Sequence, residues 1–174
     1  MNKKLNRITI FSIFCLTLLF VGCNNPSDKH LELESVQASL DKNLEMYTMV
    51  WNEVFKNRNL DIINEEYFDK DVVAVATSAG DIAGIENFKA YYGNYITGFS
   101  DGELIFVDLF GQGDKMVKHW RFKGTHDGDF FGVPATNKKV DVSGTTLIKM
   151  KDGKIVAEQD FMDFLSFYTQ LGLM

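Results

Sequence analysis

Residues 139–162 read KVDVSGTTLIKMKDGKIVAEQDFM, and this stretch decides the fold. Its runs of β-branched and alternating residues predict two strands, at 139–150 and 154–162. The Lys151-Asp152-Gly153 segment between them is typical of a tight hairpin turn. Upstream, two more strands are predicted at 103–110 and 115–125. Long neighbouring strands joined by tight turns predict an antiparallel sheet.

Helical patterns precede these strands. Between 35 and 55 the apolar residues recur at spacings of three and four, which predicts an amphipathic helix with one buried face; they include Leu40, Leu44, Tyr47, Trp51 and Val54. A shorter helix is predicted at 60–68, a strand at 71–77 and a third helix at 85–96. Helices first and strands later predict an α+β fold, a curved antiparallel sheet wrapped over N-terminal helices. The concave face of that sheet would hold a pocket.

The N-terminus has the pattern of a signal peptide, which we assign to residues 1–22. Basic residues precede an apolar run at 8–21 that is shorter than the ~20 residues of a membrane span. The run ends in Leu19-Phe20-Val21-Gly22-Cys23, which resembles a bacterial lipobox. Cys23 would then carry the lipid and become the first residue of the mature protein. An ordinary signal peptide followed by a chance cysteine is the alternative.

These assignments define the domain organisation. Residues 23–34 are interpreted as a polar tether, and residues 35–174 as one domain with a hydrophobic core. We therefore expect a protein of the bacterial cell envelope, attached to the membrane outside the cytoplasm through Cys23. Two acyl-bearing groups on one residue would anchor it firmly.

Composition excludes several classes of function. The chain has 174 residues, 45% of them hydrophobic, and a net charge of −6, which disfavours a nucleic-acid-binding surface. Its two cysteines exclude a disulfide-stapled miniprotein, and its three histidines lack the spacing of metal ligands. No glycine-rich phosphate loop, serine nucleophile elbow or cysteine nucleophile is visible.

A set of short motifs along the chain resembles one family. They are Val50-Trp51-Asn52, Arg58-Asn59-Leu60-Asp61, Gly124-Thr125-His126-Asp127-Gly128, Phe131-Gly132-Val133-Pro134-Ala135-Thr136, Asp152-Gly153-Lys154-Ile155, Asp163 and Gln170-Leu171-Gly172. In order and spacing they resemble the SnoaL-like polyketide cyclases, or ester cyclases, of the nuclear-transport-factor-2-like superfamily. The resemblance implies a cone-shaped α+β barrel around an apolar pocket, a homodimer formed through the sheet, and neither a metal nor an organic cofactor.

The resemblance also implies a catalytic residue, Asp160. In the cyclases this Asp is a general acid/base that removes a proton from a polyketide methyl ester, and the enolate closes a ring by aldol addition. Glu158 shares its strand parity, so the two carboxyl groups should project from one face about 6.6 Å apart along the strand. If that face is the pocket, they form an acid/base pair; if it faces outward, they are merely solvated. The surroundings depart from the founding cyclases, because Gly144, Thr146 and Glu158 stand where Gln and His are expected.

Seven further residues are candidates for binding the substrate: Trp51, Tyr92, Trp120, Phe122, His126, Thr146 and Asp163. The aromatic ones would line a pocket, or would simply be core. His126 beside a hairpin is more often a structural hydrogen-bonding group, and Asp163 has the position of a cap for the C-terminal segment.

Two functions of different class remain. One is a cofactor-independent cyclase or isomerase that acts on a small hydrophobic ketone or ester. The other is a non-catalytic lipoprotein of the same fold that binds a small hydrophobic molecule.

Overall fold

The computed structural model describes residues 26–77 and 80–174. Its elements, in chain order, are α1 (Pro26–Lys56), β1 (Phe68–Thr77), β2 (Gly80–Ala83), α2 (Ile85–Gly98), β3 (Glu103–Gln112), β4 (Lys115–Thr125), β5 (Lys139–Lys151), β6 (Lys154–Met162) and α3 (Phe164–Leu171). The predicted signal peptide and Cys23 lie outside the described residues. Within the described part of the chain, no helix is long and apolar enough to cross a membrane.

The chain divides into two units, residues 1–35 and 36–174. Of the first unit the structure describes only residues 26–35, which form the exposed N-terminal turns of α1. We interpreted residues 23–34 as a tether, and from Pro26 onward this segment is helical. The helix starts early because Pro is favoured in a first turn, and because Asp28 there faces the positive end of the helix dipole.

The second unit has the predicted α+β architecture, a curved and unclosed six-stranded sheet with helices on its inner face. The strand order is β2-β1-β6-β5-β4-β3. Between β5 and β6 the backbone turns through Asp152 and Gly153, which have φ values of 50° and 75°. Two consecutive residues with positive φ form the type of turn that matches the twist of a hairpin.

One strand pair differs from the antiparallel sheet that we predicted. β1 pairs with β6 in parallel, with Phe68 opposite Ile155 and Ala74 opposite Glu158. The four other pairs are antiparallel. This pairing joins the first and last strands of the chain, so no turn sequence between them predicts it.

The helix that we predicted at 60–68 is replaced by a single 3₁₀ turn at Leu60–Ile62, and β1 begins at Phe68. Side chains in this stretch bind backbone groups instead. Asn59 accepts from the N–H of Asp61, and Asn64 accepts from the N–H of Glu66 at 2.8 Å. Such bonds compete with helix formation because they satisfy the same backbone donors.

The core lies between the helices and the inner face of the sheet. α1 contributes Tyr47, Val50, Trp51 and Val54, whose exposed fractions are 0 to 1%. Along β4 and β5 the burial alternates, so that every second side chain faces inward. This alternation determines which polar residues of β4, β5 and β6 reach the interior.

Candidate active site

A cavity of about 60 Å³ lies between α1, α2, α3 and the inner face of the sheet. Its wall is mostly aromatic; Trp51, Phe55, Tyr91, Tyr92, Tyr95, Trp120 and Phe122 are among the lining side chains. Three charged residues, Lys118, Glu158 and Asp160, also line it. The site is therefore an apolar pocket with a small group of ionisable side chains in its wall, which is typical of small-molecule sites.

The sheet register places three polar side chains in one row on the inner face of the sheet, and the outer two, Lys118 and Asp160, line the cavity. Lys118 of β4 is opposite Thr146 of β5, and Thr146 is opposite Asp160 of β6. Directly opposite residues in a sheet have Cβ atoms about 5 Å apart, so the three form a continuous row. Glu158 precedes Asp160 by two residues and projects to the same face, as the parity of the strand predicts.

Asp160 is held by two hydroxyl groups. Tyr92 Oη donates to Asp160 Oδ2 at 2.8 Å, and Thr146 Oγ1 donates to Asp160 Oδ1. Thr146 in turn accepts from Trp120 Nε1 at 2.9 Å. Both carboxylate oxygens thus have fixed donors, and the carboxyl group is oriented at the cavity wall. Positioned bases of this kind are what proton transfer from carbon requires.

Glu158 is buried more deeply, with an exposed fraction of 1%. Burial raises the pKa of Glu158 from 4.5 to about 7, and the nearby Asp160 charge also raises it. The positive charge of Lys118 and the hydrogen bond from Trp51 Nε1, 3.1 Å from Oε1, oppose this increase in pKa. Near neutral pH this carboxyl group can therefore either hold or release a proton.

Tyr92 lies between the two carboxyl groups. Its oxygen is 2.8 Å from Asp160 Oδ2 and 3.3 Å from Glu158 Oε2. Burial, Asp160 and Glu158 all hold the pKa of Tyr92 well above its ordinary value, so the hydroxyl keeps its proton. One hydroxyl proton serves one acceptor at a time, and the shorter distance favours Asp160. A protonated Glu158 can then donate to the Tyr92 oxygen, which links the two carboxyl groups.

Lys118 is the site residue that the sequence analysis missed. It is 3% exposed, and its Nζ lies 4.9 Å from the centre of the Trp51 ring, 5.2 Å from that of Tyr47 and 5.5 Å from that of Phe106. Aromatic faces stabilise an ammonium group in this arrangement. A signal was present in the sequence, because Lys118 shares the strand parity of Met116, Trp120 and Phe122, all of which are buried.

The four predicted aromatic residues, Trp51, Tyr92, Trp120 and Phe122, all line the cavity. Gly144 makes room for one of them, Trp120. A Cβ atom at Gly144 would overlap the indole of Trp120 and lie 2.6 Å from the carbonyl oxygen of Phe161. Because Gly144 has no side chain, the Trp120 indole can lie over β5 at this position and donate to Thr146.

His126 and Asp163 are not among the residues that line the cavity, and neither is Thr146, which contacts the site through its hydrogen bonds with Trp120 and Asp160. His126 is fully buried between Phe99 and Phe130, and its Nδ1 accepts from the N–H of Thr136 at 3.2 Å. Its Nε2 has no hydrogen-bond partner within the described residues. Asp163 caps α3 by accepting from the N–H of Ser166. His126 and Asp163 therefore stabilise the segments around the pocket.

The fold and the site together define a class, a small α+β pocket protein with a carboxyl pair in an aromatic cavity. A family model described as SnoaL-like polyketide cyclase matches residues 44–171. The chain belongs to the SnoaL-like polyketide cyclase family. Across the described residues, no group of three or more His, Cys, Asp or Glu side chains is placed to hold a metal ion.

Solved structures support the fold. A SnoaL-like polyketide cyclase from Jannaschia sp. CCS1 superposes with a TM-score of 0.70 at 26% identity, over 77% of this chain and 94% of that chain. A phenazine biosynthesis-related protein from Pseudomonas aeruginosa superposes with a TM-score of 0.67 at 19% identity, over 82% of this chain and 92% of that chain. At that identity the second likeness concerns the fold alone.

Two curated relatives are similar over a shorter segment. The aklanonic acid methyl ester cyclases of Streptomyces peucetius and Streptomyces sp. strain C5 are each 41% identical over 49 residues, 28% of this chain. The match spans 34% and 30% of the length of those relatives.

Proposed function

We propose that this protein is a cofactor-independent acid–base catalyst that acts on a small hydrophobic ketone or ester. The observation that carries the proposal is the pair Glu158 and Asp160, which meet at the Tyr92 hydroxyl in the wall of an aromatic cavity. Membership of the cyclase family supports the reaction type, proton removal beside a carbonyl group followed by addition of the enolate to a second carbonyl.

Each group has a defined part in this chemistry. Asp160, held by Tyr92 and Thr146, accepts the proton from the carbon beside the carbonyl group. Glu158, whose pKa is raised to about 7, holds a proton near neutral pH that the Tyr92 hydroxyl can relay to the product oxygen. The aromatic wall surrounds these groups with apolar surface, which strengthens electrostatic interactions inside the cavity. The relatives named as aklanonic acid methyl ester cyclases make an ester of that kind a reasonable first substrate to test.

One observation favours the second function, binding without catalysis. The cavity volume of about 60 Å³ is small for a multi-ring polyketide. A lipoprotein that binds a small hydrophobic molecule would use the same aromatic wall, with Asp160 as a polar anchor. The two functions differ in whether Asp160 affects a rate or only an affinity.

The experiment measures exchange of carbon-bound hydrogen in D₂O. The purified protein is incubated with acetophenone, phenylacetone or aklanonic acid methyl ester, and deuterium uptake and ring closure are followed by mass spectrometry. Wild-type protein should accelerate exchange, and Asp160→Asn should lose most of that acceleration, about 10²-fold or more. Exchange at the same rate in both proteins would refute the catalytic proposal.

Asp152→Asn is the matched control. It removes one carboxylate at the exposed turn between β5 and β6, where a φ of 50° suits Asn. Its exchange rate should equal that of the wild type. If no probe exchanges but Asp160→Asn changes the affinity for the same probes, the binding function replaces the catalytic one.

We also propose that the protein is attached to the cell envelope by a lipid on Cys23. The basic start, the apolar run and the Gly22-Cys23 junction support this localisation. Cys23→Ser should release the protein from the membrane fraction or leave its precursor unprocessed. A mature-length Ser variant that stays in the membrane would contradict the proposal.

A further inference from the structure

The ammonium group of Lys118 has no hydrogen-bond acceptor among the described residues. Lys118 is 3% exposed and lines the cavity. Its Nζ lies over the rings of Trp51, Tyr47 and Phe106. Within residues 26–77 and 80–174, no oxygen accepts a hydrogen bond from Nζ, and no carboxylate forms an ion pair with it. Among the described residues the fully enclosed polar atoms without a partner are Tyr47 Oη and His126 Nε2, so Lys118 Nζ keeps access to the cavity, where a ligand can accept from its three donors.

The position of Lys118 relative to Asp160 is set by the sheet. Thr146 separates the two in the row across β4, β5 and β6, so that Lys118 lies two strands from the proposed base. A flat molecule in the cavity can therefore contact Asp160 with a carbon and Lys118 with an oxygen. Since Trp51 donates to Glu158 and Trp120 donates to Thr146, both indole N–H groups already have acceptors. Lys118 is the cation in the described cavity wall.

We infer that Lys118 stabilises the enolate oxygen that forms when Asp160 takes a proton from carbon. The inference rests on the proposed function and names its substrate class, a planar hydrophobic ketone or ester whose carbonyl oxygen lies at Lys118. In this step the C–H bond breaks and an O–H bond forms on Asp160. The C–H electron pair becomes the C=C bond, and the carbonyl π pair moves to oxygen. Negative charge thus leaves Asp160 and appears beside the ammonium group.

The transfer moves one negative charge from the carboxylate to the substrate, and an ammonium group beside the enolate oxygen stabilises that charge. Before the transfer, Asp160 is negative and Lys118 positive, and afterwards the enolate is negative beside the same Lys118. The net charge of the cavity does not change, so no ion has to enter or leave it. The three aromatic rings around Nζ attract an ammonium group electrostatically. This favours an electrostatic role rather than a nucleophilic one.

Benzoate is a stable mimic of the enolate, and benzamide is its neutral counterpart of the same shape. Trp51 and Trp120 are the two tryptophans of the chain and both line the cavity, so tryptophan fluorescence reports binding directly. Wild-type protein should bind benzoate more tightly than benzamide. Lys118→Met should weaken benzoate binding by about tenfold to a hundredfold, the value of a charge-assisted hydrogen bond, and leave benzamide binding unchanged.

Three further variants make the test specific. Asp160→Asn imitates the protonated base and should bind benzoate more tightly than the wild type. Lys118→Arg keeps the charge and should retain part of the preference, whereas Lys115→Met removes an exposed charge of the same strand and should change nothing. Should Lys118→Met fail to fold, Lys118→Gln gives the same comparison.

The inference is wrong if wild-type protein binds benzoate no more tightly than benzamide, if neither binds, or if Lys118→Met keeps the preference. Covalent trapping of acetophenone on Lys118 by borohydride would also overturn it, because the amine would then act as a nucleophile. Failure of the proposed function looks different. In that case exchange in D₂O is absent or insensitive to Asp160→Asn, while the preference for benzoate can persist.

Discussion

Glu158 offers the most quantitative test of the site, because its burial links the stability of the fold to pH. Its pKa is about 7 in the folded chain and 4.5 as its ordinary value. The folded state therefore binds more protons than the unfolded state between these two values, and the free energy of unfolding falls as pH rises through that window. The full stability is present below pH 4.5.

The size of this change in the free energy of unfolding follows from the pKa shift of Glu158. One pKa unit corresponds to about 1.4 kcal/mol, so ionising Glu158 in the folded chain costs about 3 kcal/mol in total. Since part of that cost is already present at pH 5, the free energy of unfolding should fall by about 2–3 kcal/mol between pH 5 and pH 8 from this residue alone. Because Glu158 is only 1% exposed, solvent screens little of this electrostatic cost.

The assay is urea unfolding of wild-type protein and of Glu158→Gln at pH 5, 6, 7 and 8, followed by tryptophan fluorescence. Gln keeps the acceptor for Trp51 but does not titrate. Between pH 5 and pH 8 the difference in free energy of unfolding between the two proteins should change by about 2–3 kcal/mol in favour of Glu158→Gln. Titration of carboxyl groups that do not interact with Glu158 cancels in that difference.

Glu103→Gln, at the exposed start of β3, is the control and should follow the wild type at every pH. If the free energies of unfolding of wild type and Glu158→Gln changed with pH in parallel, the reasoning would be refuted. Glu158 would then have the same pKa in the folded and unfolded chains.

Two other predictions concern the pocket wall and the outer face of the sheet. Gly144→Ala should destabilise the fold by about 1–3 kcal/mol and shift the tryptophan emission, because the added methyl displaces the Trp120 indole; unchanged emission and stability would contradict this. The resemblance implies a homodimer through the sheet, and Leu147 and Phe161 on its outer face are each 47% exposed. Light scattering should give a dimer for the wild type and a monomer for Phe161→Lys, and a monomeric wild type would exclude this interface.

Much of the fold was predictable because its signals are local. Alternating residues and turn sequences determine the strands of the second half, and the Asp152-Gly153 turn requires only its own backbone conformation. The common face of Glu158 and Asp160 follows from the two-residue period of a strand. The predicted helix at 60–68 was wrong for an equally local reason, the competing hydrogen bonds of Asn59 and Asn64.

The chemistry of the site depends on contacts between distant segments. Tyr92 reaches Asp160 from α2 across 68 positions, and Trp51 reaches Glu158 from α1 across 107. Neither contact leaves a periodicity or a spacing in the sequence.

By itself, then, the amino-acid sequence determined the strands, the turns, the helix faces and the pairing of two carboxyl groups on one strand face, because each depends on neighbours within a few residues. Only the tertiary structure decided that β1 lies parallel to β6, that Lys118 is enclosed by three aromatic rings, and that Glu158 titrates near neutral pH. The physical reason is that burial and electric field at a side chain are set by every segment packed around it.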